Sequence, residues 1–129
     1  MATELVIVRL NAVLFLAYGL GFVFLPEAMS RLVTGSAPTA VSALIDMRAT
    51  YGGLSVAVGG LLFLLASNRG VVRQGLAGVV LLMAGMAGGR LYGIVVDGAP
   101  NAVMYWYLAF EVAMALIALW ALMRARSSG

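Results

Sequence analysis

In a chain that is 64% hydrophobic and only 10% charged, the side chains able to do chemistry are few, and most of them lie within or beside long apolar stretches. They are Asp46, Arg48 and Tyr51 in "DMRATYGG", Arg90 in "GGRLYG", Asp97 seven residues on, Glu111 in "FEVAM", and the tyrosines Tyr18 and Tyr107. Carboxylates, guanidinium groups and phenols form a set suited to two tasks. They carry general acid–base work, and they hold the polar end of a ligand through forked hydrogen bonds. Glu111, Asp46 and Tyr51 are the candidates for proton chemistry. Arg48, Arg90, Asp97, Tyr18 and Tyr107 are the candidates for ligand binding. Cysteine and histidine are both absent. That removes the thiolate nucleophile, the disulfide, the imidazole proton shuttle and the soft-metal site. No metal and no cofactor is expected.

The elements that must position these groups follow from composition. A mean hydropathy of +1.06 over 129 residues marks an integral membrane protein. A spanning helix needs about 20 apolar residues, so residues 1–129 form a single domain with room for four spans. The apolar stretches run from about Leu5 to Leu25, Ala43 to Ala66, Val71 to Val96 and Val103 to Met123. Between the first two, "PEAMSRLVTGSAPTA" carries Pro26, Gly35 and Pro38 and reads as a short interfacial helix followed by a loop. Period-2 alternation is absent, and backbone polar groups in lipid must be satisfied internally, so the spans are helices. The fold class is therefore an all-α, four-transmembrane-helix bundle. The first stretch is long and not led by basic residues, which argues for a retained span rather than a signal peptide.

The chain has no lysine, so arginine sets the expected orientation. Arg9, Arg69, Arg73, Arg124 and Arg126 gather on the side that holds both termini and the second-to-third turn, against Glu4 alone. By the positive-inside rule that side is cytoplasmic, and the protein is expected in the inner (plasma) membrane with both termini inside. The opposite side carries Glu27, Arg31, Asp46, Arg48, Arg90 and Asp97, a balanced set. Tyr105 to Tyr107, "YWY", would mark the outer interface and Trp120 the inner one.

At a rise of about 1.5 Å per residue, Arg48, Arg90 and Glu111 all fall roughly 7–12 Å below the outer boundary, and Tyr18 joins them. Helical facing groups Arg48 with Tyr51, Gly52 and Ser55; Tyr107 with Glu111, Met114 and Ala118; Arg90 with Asp97; and Asn11 with Tyr18. An ionised side chain facing lipid costs about 2.5–3.5 kcal/mol on insertion scales. The expectation is a polar chamber in the outer half of the bilayer, where Arg48 and Arg90 share Glu111, Asp46 and Asp97. Asp46 could also cap the second helix, and Asn11, lying deeper, is expected to bond across helices.

Glycines accompany the charges. Gly52, Gly53, Gly59 and Gly60 in the second span and Gly85, Gly88, Gly89 and Gly93 in the third give small-residue spacings. These suit close helix packing, a homo-oligomer face, or space for a ligand. The strings "IDMRATYGG" and "GGRLYG" with "DG" close behind, and the isolated glutamate of the last span, resemble the bacterial four-helix membrane proteins grouped as a domain of unknown function, family 4345. The resemblance covers nearly the whole chain. It implies a four-span fold and marks Asp46, Arg48, Tyr51, Gly52, Gly53, Arg90, Gly93, Asp97, Gly98 and Glu111, and it supplies no activity.

Two function classes follow. One is a site for a small lipophilic ligand drawn from membrane lipid, its polar end held by the arginines and a carboxylate moving a proton; isomerisation, cyclisation or epoxide opening would suit these groups. The other is a non-catalytic scaffold or accessory subunit whose charges lock helix order and whose glycine faces grip partner helices. A carrier ranks behind both, because the cytoplasmic half offers Asn11 and no chain of titratable groups. The arginines of the tail and second turn are too few for nucleic acid and suit anionic lipid.

Overall fold

The computed structural model describes residues 2–127, with side chains to Ala125. Arg126, counted above among the cytoplasmic arginines, therefore has its side chain outside the described set. The chain folds into α1 (Ala2–Phe24), a short α2 (Pro26–Thr34), α3 (Val41–Ser67), α4 (Val72–Asp97) and α5 (Ala102–Ser127), with no strand among the described residues. Helices α1, α3, α4 and α5 are each long and apolar enough to cross a membrane, which makes this a multi-pass membrane protein built as a four-helix bundle. Large apolar side chains such as Leu64, Leu81, Val95 and Leu116 cover the perimeter, as expected where the solvent is lipid.

Local chemistry sets the helix ends. Pro26 begins α2, where its missing N–H costs nothing, and Leu25 before it leaves the helical region at φ −129°, ψ 53°. At the far end Gly35 adopts a left-handed φ of 88° and donates its N–H to Arg31 O at 3.0 Å. α4 stops at Gly98, whose φ of 102° again calls for glycine. Asn101 then serves two elements: its Oδ1 accepts the Met104 N–H at 3.2 Å to start α5, and its Nδ2 donates to Val33 O at 3.1 Å on α2. The α3–α4 turn is held by Gly70 N–H on Asn68 Oδ1 at 2.8 Å.

The bundle is two tight helix pairs, α1 with α3 and α4 with α5, joined at one end. Because lipid tails are as apolar as leucine, such pairs are held by close van der Waals fit between small residues. Gly19, Gly52 and Gly59 supply that fit for α1 and α3. A Cβ on Gly19 would lie 2.7 Å from the Gly52 carbonyl oxygen, and one on Gly59 would lie 2.8 Å from the Ala12 carbonyl oxygen. The pairs meet in a core of Val8, Ala12, Leu62, Leu76, Val79 and Ala118, near both termini and the α3–α4 turn. Asn11 is fully buried within α1. It does not bond across helices as expected: its Nδ2 donates to Ile7 O on its own helix at 2.8 Å.

Towards the α2 end the two pairs separate. Close to the turn, a Cβ on Gly75 would still meet Val8 and Leu65, whereas Gly85, Gly88 and Gly89 further along α4 have no neighbour within 4 Å of such an atom. The close packing expected of the α4 glycines is thus absent within the chain, and the space they leave is open.

Candidate functional site

The segment "RATYGG", Arg48–Gly53, is a π-helical stretch within α3. Its i→i+5 bonding takes more residues per turn than the α-helix on either side, so residues before it are rotated relative to those after it. This separates the set that ideal α-periodicity places on one face. Gly52 packs on α1 against Val23, while Tyr51 and Ser55 face a cavity. Arg48 is exposed and donates from Nη1 to the Val23 carbonyl in the last turn of α1. That carbonyl is among those a helix C-terminus leaves without an intrahelical partner, and a cation there complements the helix dipole. Arg48 therefore ties α3 to α1 and does not share Glu111 with Arg90.

Asp46 and Asp97 do not join the cluster either. Both are exposed and neither forms an ion pair among the described residues. α3 already begins at Val41, so Asp46 lies inside the helix and cannot cap it; its carbonyl accepts the Thr50 hydroxyl at 2.7 Å. Asp97 lines a smaller pocket of about 350 Å³ at the α4–α5 connection, together with Arg90 and Met104.

What remains is a compact site across α4 and α5. Arg90 donates Nε–H to Glu111 Oε2 at 3.0 Å and Nη2–H to Glu111 Oε1 at 2.6 Å. Nη1 donates to Met104 Sδ at 3.0 Å, and the guanidinium carbon lies 5.1 Å from the centre of the Tyr107 ring. The Glu111 side chain is 5% exposed and that of Arg90 20%. Such a forked pair is the arrangement that best offsets the cost of taking both charges from water. Met104 was not anticipated, although its place seven residues before Glu111 sets it on the same helical face.

The pair forms part of the wall of a cavity of about 820 Å³ between the separated helix pairs. Tyr18 of α1, Tyr51 and Ser55 of α3, Gly85 and Gly89 of α4, and Tyr107 and Phe110 of α5 share that wall. Met29 of α2, another residue the spacing did not reveal, also lines it and packs over Gly21 of α1. On the α1–α5 side, Tyr18 and Tyr107 meet edge to face at 6.5 Å. Tyr18 also contacts Phe22 at 4.9 Å, and Phe22 stacks on Tyr51 at 5.3 Å, an aromatic row running across α1. Between α3 and α4, Tyr51, Leu54, Gly85 and Gly89 of the wall are exposed, as are Leu14 and Ala17 of α1 and Phe110 of α5, so the cavity is open to the exterior of the bundle. Of the sequence candidates, the fold brings Tyr18, Tyr51, Arg90, Tyr107 and Glu111 together around one space, and leaves Asp46, Arg48 and Asp97 outside it. Among the described residues no group of histidine, cysteine, aspartate or glutamate could hold a metal.

A family model described as a domain of unknown function (DUF4345) matches residues 4–122, and the chain belongs to that family. No curated protein and no solved structure matches it.

Proposed function

We propose that this member of the DUF4345 family binds a small lipophilic molecule within the bilayer, taking it sideways from lipid through the gap between α3 and α4. The observation that supports the reading is the cavity of about 820 Å³, apolar over most of its wall, with the Arg90–Glu111 pair on one side. Sites for drug-sized ligands have volumes of about 300–1,000 Å³ and combine an apolar lining with a few convergent polar groups. A pair needed only to lock helix order would be sealed by packed side chains. Here tyrosine hydroxyls and an open space adjoin it.

Binding comes first in this reading, and conversion of the ligand second. Both oxygens of Glu111 are engaged by Arg90, so acid–base work requires the ligand to draw Arg90 partly away and leave the carboxylate to accept a proton. The arginine distribution supports a site in the outer half of an inner membrane, with both termini cytoplasmic.

A scaffold role is the second reading. The exposed Gly88 and its neighbours on α4 favour it, as a flat strip that a partner helix, or the same helix of a second copy, would cover. Mass spectrometry of lipids and metabolites extracted from protein purified in mild detergent separates the two. A lipophile enriched over bulk phospholipid supports the binding site. Bulk phospholipid alone, with a partner protein retained, supports the scaffold.

A further inference from the structure

Building on that binding reading, we infer that the ligand is an uncharged lipophile whose polar end is a hydrogen-bond acceptor, such as a ketone, ester or quinone carbonyl, and not a fatty acid or other anionic lipid. Charge balance is the first argument. Among the described residues, Arg90 and Glu111 are the only charged ones on the cavity wall, and they neutralise each other through two hydrogen bonds. An anion added to that space would be an unpaired charge at membrane depth, because the one available cation is already committed to a carboxylate. A cationic head would meet the mirror problem, since Glu111 is committed to Arg90.

Hydrogen-bond capacity is the second argument, and it sets the polarity of the head. Nη1 and Nη2 of Arg90 each keep a second N–H that no described residue accepts, because the bonds formed are one to Met104 Sδ and one to Glu111 Oε1. A guanidinium can only donate. The hydroxyls of Tyr18, Tyr51 and Tyr107 have no hydrogen-bond partner among the described residues, and each can donate into the space they line. The Thr50 hydroxyl, also on the wall, already donates to Asp46 O. The two free N–H groups of Arg90 can only donate, while the hydroxyls of Tyr18, Tyr51, Tyr107 and Ser55 can donate or accept, so a carbonyl is the head that satisfies the guanidinium without adding charge.

Five aromatic residues on the wall, Phe15, Tyr18, Tyr51, Tyr107 and Phe110, leave the body of the ligand to apolar and ring contacts. The pair therefore sets selectivity by cancelling its own charge, and Glu111 is a specificity-determining residue whether or not it transfers a proton.

The test measures binding of two probes of equal chain length to the delipidated full chain in neutral detergent, read by native mass spectrometry. One probe is a long-chain methyl ketone and the other a permanently ionised long-chain alkyl sulfonate. Wild type is expected to prefer the ketone by at least about tenfold. Glu111→Gln leaves Arg90 without its partner and is expected to reverse the order in favour of the sulfonate. Equal binding of the two probes by wild type, or tighter binding of the sulfonate, overturns the inference while the lipophile site stands. Binding of neither probe removes the site and the inference with it. Because the wild-type comparison decides by itself, a Glu111→Gln protein that fails to fold does not rescue the proposal.

Discussion

Arg90 grips both carboxylate oxygens of Glu111 across the α4–α5 seam, at 3.0 Å and 2.6 Å, and the pair stands at the edge of an open space instead of inside packed side chains. Removing one partner leaves the other as an uncompensated charge. Arg90→Met and Glu111→Gln are each expected to cost about 3–5 kcal/mol, and the double variant less than their sum. Unfolding titrations of the four proteins of the cycle measure the coupling. Strict additivity would show that the ion pair does not form.

Arg48 is expected to behave differently, because it binds the Val23 carbonyl and touches neither member of the pair. Combining Arg48→Met with Glu111→Gln should give effects that add within about 0.3–0.5 kcal/mol. A larger coupling in the same titrations would return Arg48 to the cavity.

The glycines divide into two kinds with opposite responses to a methyl group. A Cβ on Gly59 would be forced against the Ala12 carbonyl and the Leu16 backbone, so Gly59→Ala is expected to destabilise by about 1–3 kcal/mol through separation of α1 and α3. Gly88 has open space and ordinary helical geometry, and Gly88→Ala should stabilise by about 0.5–1 kcal/mol. Equal destabilisation at both positions would mean that another chain covers Gly88.

Much of this arrangement is legible in the sequence. The four spans follow from apolar length, and their observed ends differ from the expected ones by a few residues because local caps, such as the positive-φ Gly98 after α4 and Asn101 before α5, decide the terminal turns. The convergence of Arg90, Glu111, Tyr18 and Tyr107 follows from depth and facing together. Arg48 is misplaced by the same method for a definite reason. Facing arguments assume 3.6 residues per turn, and the π-helical Arg48–Gly53 breaks that assumption at the segment where the chemistry is densest. Gly19 is missed because its neighbour Gly21 stands two residues away, which is no small-xxx-small spacing, although the contact of Gly19 with Gly52 and Val56 sets how closely α1 approaches α3. For the α4 glycines the sequence leaves packing, an oligomer face and ligand space all open. Their spacing is the same whether a neighbour helix fills the groove or a cavity does.

Orientation rests on the arginines near the termini and the α3–α4 turn. Cysteines introduced at Asn68 and at Ala99 should separate cleanly in whole cells: an impermeant thiol reagent applied outside should label the second and spare the first. The reverse pattern would place the cavity in the inner leaflet and move the source of its ligand to that side.

The place of the ligand beside the gap between α3 and α4 makes the last prediction, and Gly85 is where it can be tested with least disturbance to the fold. Gly85 is exposed, lines the cavity and has no atom within 4 Å of a Cβ built on it. A side chain can thus begin there without its Cβ meeting a packed neighbour. Gly85→Phe should therefore keep the melting temperature of the ligand-free protein while weakening lipophile binding by about tenfold or more, equivalent to about 1.4 kcal/mol of lost affinity. Gly88→Phe is the matched control, since Gly88 sits on the same helix but off the cavity wall. Occupancy measured by native mass spectrometry should fall for the first variant and hold for the second. Undiminished occupancy in Gly85→Phe would show that the ligand does not lie against Gly85 at the gap. A loss of oligomer or partner with Gly88→Phe, and unchanged occupancy in both, would give the glycine face to the scaffold reading.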